Sequence, residues 1–219
     1  MSRSKQPKFD YNITAPNVIE PGKDLYDKIK GNWRGYFFEN KNPIVLEVGC
    51  GKGEYTVGLA ARFPEKNFVG SDIKGDRISV GSKIAIADDL SNVCFMRTQI
   101  QQIENFFEPN EIDELWITFP DPRPKDRDIK KRLTAPMYMG IYRSLLKKGG
   151  LVHFKTDNLP LFEYTIDEVL PNLNVKNLKY TKDLYQSEML DDIRSIKTTY
   201  EKIYLDRGVK INYLSFQFD

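Results

Sequence analysis

The sequence predicts an α/β fold, a mostly parallel sheet with helices on both faces and an antiparallel last strand. Three observations carry this. Short apolar runs alternate with helix-like segments across residues 44–170. A glycine turn joins the first of those runs to the first helix. The C-terminal stretch 210–218 alternates as a strand does, directly after a short helix.

Residues 1–23 hold Pro7, Pro16, Pro21 and Gly22 without lasting periodicity, and they read as a flexible tail. Residues 24–219 read as a single domain, opened by an aromatic-rich lead-in helix over 24–38. The apolar runs 44–48, 67–72, 93–97, 114–119 and 151–156 read as buried strands. Between and after them, 54–63, 76–90, 100–107, 135–146 and 159–170 read as helices, with Thr134 and Asn158 placed to cap the last two. Strand and helix taking turns implies right-handed crossovers and a parallel sheet covered on both faces. The ending departs from that rhythm. Residues 174–180 read as a strand, 198–207 as a helix stopping at Gly208, and 210–218 as a strand. In that last strand Ile211, Tyr213, Ser215 and Gln217 face one way, and Asn212, Leu214, Phe216 and Phe218 the other. A short return from helix to strand suits antiparallel insertion into the sheet.

Composition excludes several classes. A chain of 219 residues buries enough surface to need no staples. Its two cysteines, Cys50 and Cys94, make neither a disulfide framework nor a zinc site, and they fit a reducing, cytoplasmic setting. The start is polar and basic without an apolar signal core, and no run approaches the ~20 apolar residues of a membrane helix. The net charge of +2 does not mark a nucleic-acid binder. Its distribution says more: between Arg123 and Arg132 six cations face only Asp126 and Asp128, a local charge of +4. The ordinary reading of such a run is a solvated loop.

The chemistry lies at the ends of the predicted strands. Ile44-Val-Leu-Glu-Val-Gly-Cys-Gly-Lys-Gly-Glu54 is a strand, a glycine turn and a helix start. Glycine lets backbone approach a ligand, and a helix N-terminus offers free N–H groups. The spacing Gly49, Gly51, Gly53 is not the GxGxxG of a dinucleotide site. The next strand ends at Asp72, 19 residues after Gly53, where a carboxylate can accept both hydroxyls of a ribose. Together these point to an adenosine-type cofactor. Glu47 lies under the turn; a structural role there and a water-mediated contact to a cofactor ammonium are both open. The fourth of the strands ends Phe119-Pro-Asp-Pro-Arg-Pro-Lys125, which clamps Asp121 between prolines at the edge where open α/β sheets bind ligands. Asp157 ends the fifth, as a site carboxylate or as part of a helix cap. Thr198-Thr199-Tyr200-Glu201 fits a capping box.

These blocks, in this order, resemble the bacterial tRNA (guanine-N7)-methyltransferase family from about Asn42 to the C-terminus. The Phe-Pro-Asp-Pro block with its basic tail is far more specific than the glycine turn. The resemblance implies a class I (Rossmann-like) S-adenosylmethionine-dependent methyltransferase with a seven-stranded sheet. It implies cofactor contacts by Glu47, Asp72, Gln99 and Asp121, beside the turn glycines Gly49, Gly51 and Gly53 already read as a cofactor cradle. It makes Asp121 the catalytic position, and it places Lys125, Asp157, Thr198, Thr199, Tyr200 and Glu201 against tRNA. No metal and no membrane are implied, and monomer and homodimer are both open. The chain departs from the family at Arg123, where tryptophan is usual, at Gln99, where an acid or asparagine is usual, and at Asp128-Ile129, where a histidine-bearing segment is usual. Three rival readings are open. One is a nicotinamide-dependent oxidoreductase, opposed by the glycine spacing. Another is an amino-methyltransferase acting on DNA or another RNA, which would want an aromatic directly after the prolines. The last is a non-enzymatic RNA-binding module. His153, mid-strand, reads as a packed residue.

Overall fold

The computed structural model describes residues 6–219. Among the described residues eight strands form one sheet: β1 (Val18–Ile19), β2 (Ile44–Val48), β3 (Asn67–Asp72), β4 (Val93–Arg97), β5 (Ile112–Thr118), β6 (Leu146–Thr156), β7 (Val175–Thr181) and β8 (Asn212–Phe218). Their order is β1-β4-β3-β2-β5-β6-β8-β7. β8 runs antiparallel to both β6 and β7, and the other pairings are parallel. The expected insertion of the last strand is therefore found, but the sheet has eight strands where seven were expected. The extra one is β1, two buried residues beside β4 in a segment read as tail. The described part of that segment also holds a helix. Helix α1 (Gln6–Thr14) packs on α3 (Gly75–Ala87), with the buried Asn12 donating to the Gly75 carbonyl at 2.9 Å. Residues 1–5 of the expected tail lie outside the described residues.

The strands alternate between two cores because successive side chains leave opposite faces. Ile44, Leu46, Val48, Leu115 and Ile117 enter one cluster; Val45 and Trp116 enter the other. The first cluster is covered by α4 (Pro136–Leu145), α5 (Leu159–Glu163) and the segment around Trp33. The second is covered by α2 (Glu54–Arg62), α3 and the region around Ile193 and Ile196. Ile211, just before β8, and Tyr213 within it face the second cluster, and Leu214, Phe216 and Phe218 the first, as the alternation requires.

Three helix expectations are corrected. Residues 24–38 give turns and one π-wound segment, Trp33–Phe37, because Trp33 is drawn inward. Its indole N–H donates to the Phe106 carbonyl at 2.8 Å and its ring stacks on Phe107 at 4.9 Å. The helix at 159–170 stops at Glu163 and continues π-wound to Val169. Asn158 does cap it, accepting from Leu161 N–H at 2.9 Å. Thr134 does not cap α4: Ala135 holds the cap position, and the Thr134 hydroxyl, buried, accepts from Thr165 at 2.9 Å. His153 is packed as expected, stacked on Trp116 at 3.9 Å with Nδ1 2.6 Å from the Tyr213 hydroxyl.

Candidate active site

β2 leads straight into the glycine turn, which hangs on the end of β3. Gly49 and Cys50 N–H both donate to the Ser71 carbonyl, at 2.8 and 3.0 Å. Gly51 N–H donates to Asp72 Oδ2 at 3.0 Å, and Lys74 N–H to Oδ1 at 2.8 Å. Each Asp72 oxygen thus spends one lone pair on backbone and keeps another for an incoming donor. The turn needs positive φ at Gly51 (57°) and Gly53 (73°), a region unfavourable to any residue with a Cβ. The two differ in surroundings. A Cβ on Gly53 would lie 2.3 Å from the Phe95 ring, whereas one on Gly51 would meet nothing within 4 Å. The turn is therefore packed from below and open above, as a cradle for an adenosine-type cofactor must be.

Glu47 lies fully buried beneath this turn. Thr118 Oγ1 donates to its Oε1 and Thr56 Oγ1 to its Oε2. Burial pushes its carboxyl up to about 7, against the pull of those two hydroxyls. A carboxyl raised on folding binds its proton more tightly in the folded chain, so its contribution is full below its ordinary value of 4.5 and declines as pH rises to about 7. Glu47→Gln should remove that decline. Melting curves from pH 4 to 8 should show the variant gaining on the wild type through this window; a gap independent of pH would contradict the assignment.

At the end of β5 the chain turns sharply. Phe119 and Arg123 both adopt positive φ, 46° and 45°. Asp121, exposed, accepts the Arg123 N–H at Oδ1 (3.2 Å), while Arg123 Nε lies 3.2 Å from Oδ2. The basic loop that follows winds as a 3-10 turn, Asp126–Lys131. Its cations are not equivalent. Arg132 is spent on the loop, donating to the Pro122 and Arg123 carbonyls and covering the Tyr164 ring at 4.3 Å. Lys131 pairs with Asp128 at 2.7 Å. Lys125 and Lys130 are exposed and make no ion pair among the described residues.

The Thr198–Glu201 motif comes to the same sheet edge from the far end of the chain. It opens α6 (Thr199–Asp206), whose N-cap Thr198 accepts from Glu201 N–H at 3.2 Å. Thr199 is tied to Glu54 at the start of α2. Thr198 and Tyr200 face the turn, lining a cleft of about 120 Å³ with Gly49, Gly51, Thr118 and Phe119. Glu201 behaves otherwise. It is fully buried, its Oε1 2.7 Å from Lys155 Nζ and accepting from the Tyr185 hydroxyl at 2.8 Å.

Asp157 follows β6 and is half-buried, with burial pushing its carboxyl upward. It lines a different cleft, of about 620 Å³, with Thr181, Lys182, Lys210 and Asn212. Gln99, just past β4, is exposed. The structure therefore gathers the glycine turn, Thr198 and Tyr200 into one cleft, with Asp72, Gln99 and Asp121 at or just past strand ends along the same edge, and leaves Asp157 in a separate cleft. Thr118, Lys155 and the exposed Ile73 beside Asp72 belong to this edge but escaped sequence reasoning. Only their position at strand ends could have flagged them. Among the described residues no group of His, Cys, Asp and Glu could hold a metal, and no helix is long and apolar enough to cross a membrane.

Known proteins agree with this architecture. A family model described as "Putative methyltransferase" matches residues 41–214. The tRNA (guanine-N(7)-)-methyltransferase of Cytophaga hutchinsonii is 50% identical over 100% of this chain and 99% of its own. Those of Bacteroides thetaiotaomicron and Levilactobacillus brevis are 45% and 35% identical over 99% and 87% of this chain, and 86% and 85% of theirs. Among solved structures, a 30S ribosomal A1408 methyltransferase from an uncultured bacterium shares the fold at a TM-score of 0.59 and 15% identity, over 92% of this chain and 98% of that one. A Haemonchus contortus phosphoethanolamine N-methyltransferase in complex with S-adenosyl-L-methionine does so at 0.52 and 17%, over 97% and 56%. The chain belongs to the tRNA (guanine-N7)-methyltransferase family.

Proposed function

We propose that the protein transfers a methyl group from S-adenosylmethionine to N7 of a guanine in tRNA, in the variable loop by family resemblance, giving N7-methylguanine and S-adenosylhomocysteine. The observation that carries this reading is the single cleft in which the glycine turn meets Thr198 and Tyr200. One motif suits the cofactor and the other suits RNA, and methyl transfer needs both at one place. A tRNA substrate puts the work in the cytoplasm.

The bound cofactor supplies a methyl already activated by a sulfonium. Guanine N7 offers a lone pair and has no proton to lose, so the chain need supply orientation and charge and no strong base. Orientation alone can contribute about 7–11 kcal/mol. Asp72, with lone pairs to spare, would hold the ribose hydroxyls, Gln99 would contact the adenine, and the open face of Gly51 would let the backbone approach the cofactor closely. The methylated ring becomes cationic, and fixed carboxylates stabilise the developing charge. Asp121, exposed just past the end of β5, would serve this purpose, with Asp157, just past the end of β6 in a separate cleft, as the second candidate. They can also accept guanine's imino and amino hydrogens, once the base leaves its stack. Lys125, Arg127 and Lys130 hold surrounding phosphates.

Labelled S-adenosylmethionine should pass label to unmodified tRNA and not to duplex DNA, and NADH should not bind; label in DNA alone, or tight NADH binding, overturns the reading. Salt dependence tests the loop. If about four phosphates are neutralised, log K should fall against log salt with a slope near −3, a loss of roughly sixtyfold between 50 and 200 mM. Replacing Lys125, Arg127 and Lys130 with alanine should flatten the slope by about 2 and leave cofactor affinity alone. An unchanged slope would make the run a solvated loop.

A further inference from the structure

Lys155 is a lysine where a sheet ordinarily carries an apolar residue. It lies in β6, two residues before Asp157, and is fully buried. An ammonium has three donors, and here three oxygens take them: the Arg194 carbonyl at 2.8 Å, the Ile196 carbonyl at 3.0 Å and Glu201 Oε1 at 2.7 Å. The rings of Tyr55, Tyr185 and Phe119 surround it at 5.3, 5.8 and 5.9 Å. All three oxygens belong to the segment that delivers Thr198 and Tyr200. The backbone of the same residue works in the other direction, since its carbonyl accepts the Phe119 N–H at 2.8 Å, at the start of the Asp121 loop. Burial pushes the ammonium's pKa down and the Glu201 carboxyl up, and each partner opposes the other's shift.

A buried ion pair is seldom the most stable filling for a core position; a pair of apolar residues does as well or better. What the charge adds is a fixed register for whatever it holds. We propose that Lys155 is a positioning residue for methyl transfer. Its ammonium clamps residues 194–201 to the end of β6, which sets Thr198 and Tyr200 over the glycine turn, while its carbonyl fixes the root of the Asp121 loop. On this view Glu201 serves from below, as an anchor of the tRNA-facing motif and not as a contact to the base. The inference rests on reading the cleft as the site of transfer.

The test pairs Lys155→Met with the double variant Lys155→Met/Glu201→Gln. The single variant strands a buried carboxylate and is expected to fold poorly. The double strands no charge, and its glutamine can still take the Tyr185 hydroxyl. The double should melt close to the wild type. Its amides over 194–200 should exchange at least tenfold faster, because the local opening is no longer restrained. Its KM for tRNA should rise roughly tenfold while cofactor affinity stays within about threefold. Glu201→Gln alone, with Lys155 still holding both carbonyls, should fall between. A double variant with wild-type exchange and KM, or with nothing changed but its melting point, overturns the clamp. So does a wild-type protein in which 194–200 exchange like an open loop, a measurement that needs no variant to fold. If the wild type fails to methylate tRNA, the functional reading fails, and exchange still scores the clamp.

Discussion

Asp121→Asn should fold as the wild type does, bind cofactor and tRNA within about tenfold, and turn over roughly 10²–10³ more slowly. The expectation comes from what Asp121 touches. Its Oδ1 accepts the Arg123 N–H, a bond that an asparagine oxygen can keep, so the loop between the two positive-φ residues retains its shape. What disappears is the charge. Arg123, which stands where the family usually has tryptophan, would also lose its partner at 3.2 Å, but that pair is well exposed and contributes little to stability. A structural Asp121 would give the opposite pattern, a lower melting point with near-normal turnover in the folded fraction. Single-turnover methylation at saturating cofactor and tRNA, with a melting curve beside it, separates the two. If the folded variant stays within about threefold of wild type, charge at Asp121 is not the stabiliser, and Asp157 becomes the leading carboxylate.

Gly53→Ala should be the most damaging small change at the cofactor end. Two effects add. The residue sits at φ 73°, where a Cβ is unfavourable by roughly 1–2 kcal/mol, and that Cβ would fall 2.3 Å from the Phe95 ring, an overpacking of the kind that costs about 1–3 kcal/mol. A loss of roughly 2–5 kcal/mol in unfolding free energy is expected, with weaker cofactor binding because the turn must shift. Trimming the ring with Phe95→Leu in the Gly53→Ala background should recover the steric share and leave the backbone share. Urea unfolding of the four proteins in that cycle measures both. Gly53→Ala within about 0.5 kcal/mol of wild type would mean that the turn is not held as described.

The parts of the fold that were readable are those whose signal is local. β2, β3 and β4 are buried almost end to end, the C-terminal halves of β5 and β6 are buried likewise, and β8 alternates cleanly between two cores. β1 was not readable: Val18–Ile19 has no period of its own, and what makes it a strand is the backbone of β4 lying alongside. The aromatic density at 24–38 suggested a helix, but Trp33 and Phe37 are spent on stacking and on the hydrogen bond to Phe106, which pull the chain off a regular helical path.

The site divides in the same way. The glycine spacing was visible because the turn's positive φ favours that residue type, and Asp72 because a carboxylate at the end of β3 accepts the Gly51 and Lys74 N–H groups. The capping box at Thr198 was half right. The threonine caps, but the Glu201 carboxylate turns inward to Lys155, a partner that no local pattern announces. Charge counting over residues 123–132 likewise could not tell Arg132, consumed by its own loop, from Lys125 and Lys130, which face solvent. Phe95, the ring that makes Gly53 irreplaceable, lies a strand away from the turn it supports.

The most direct test of the account is the position of the methyl group. Wild-type protein is incubated with S-adenosylmethionine and unmodified tRNA, and the digested nucleosides are separated and identified by mass against synthetic standards. The account predicts N7-methylguanosine from a single guanine in the variable loop. Methyl groups on an exocyclic amine, on adenine N1 or on ribose, with no N7-methylguanosine, would contradict it.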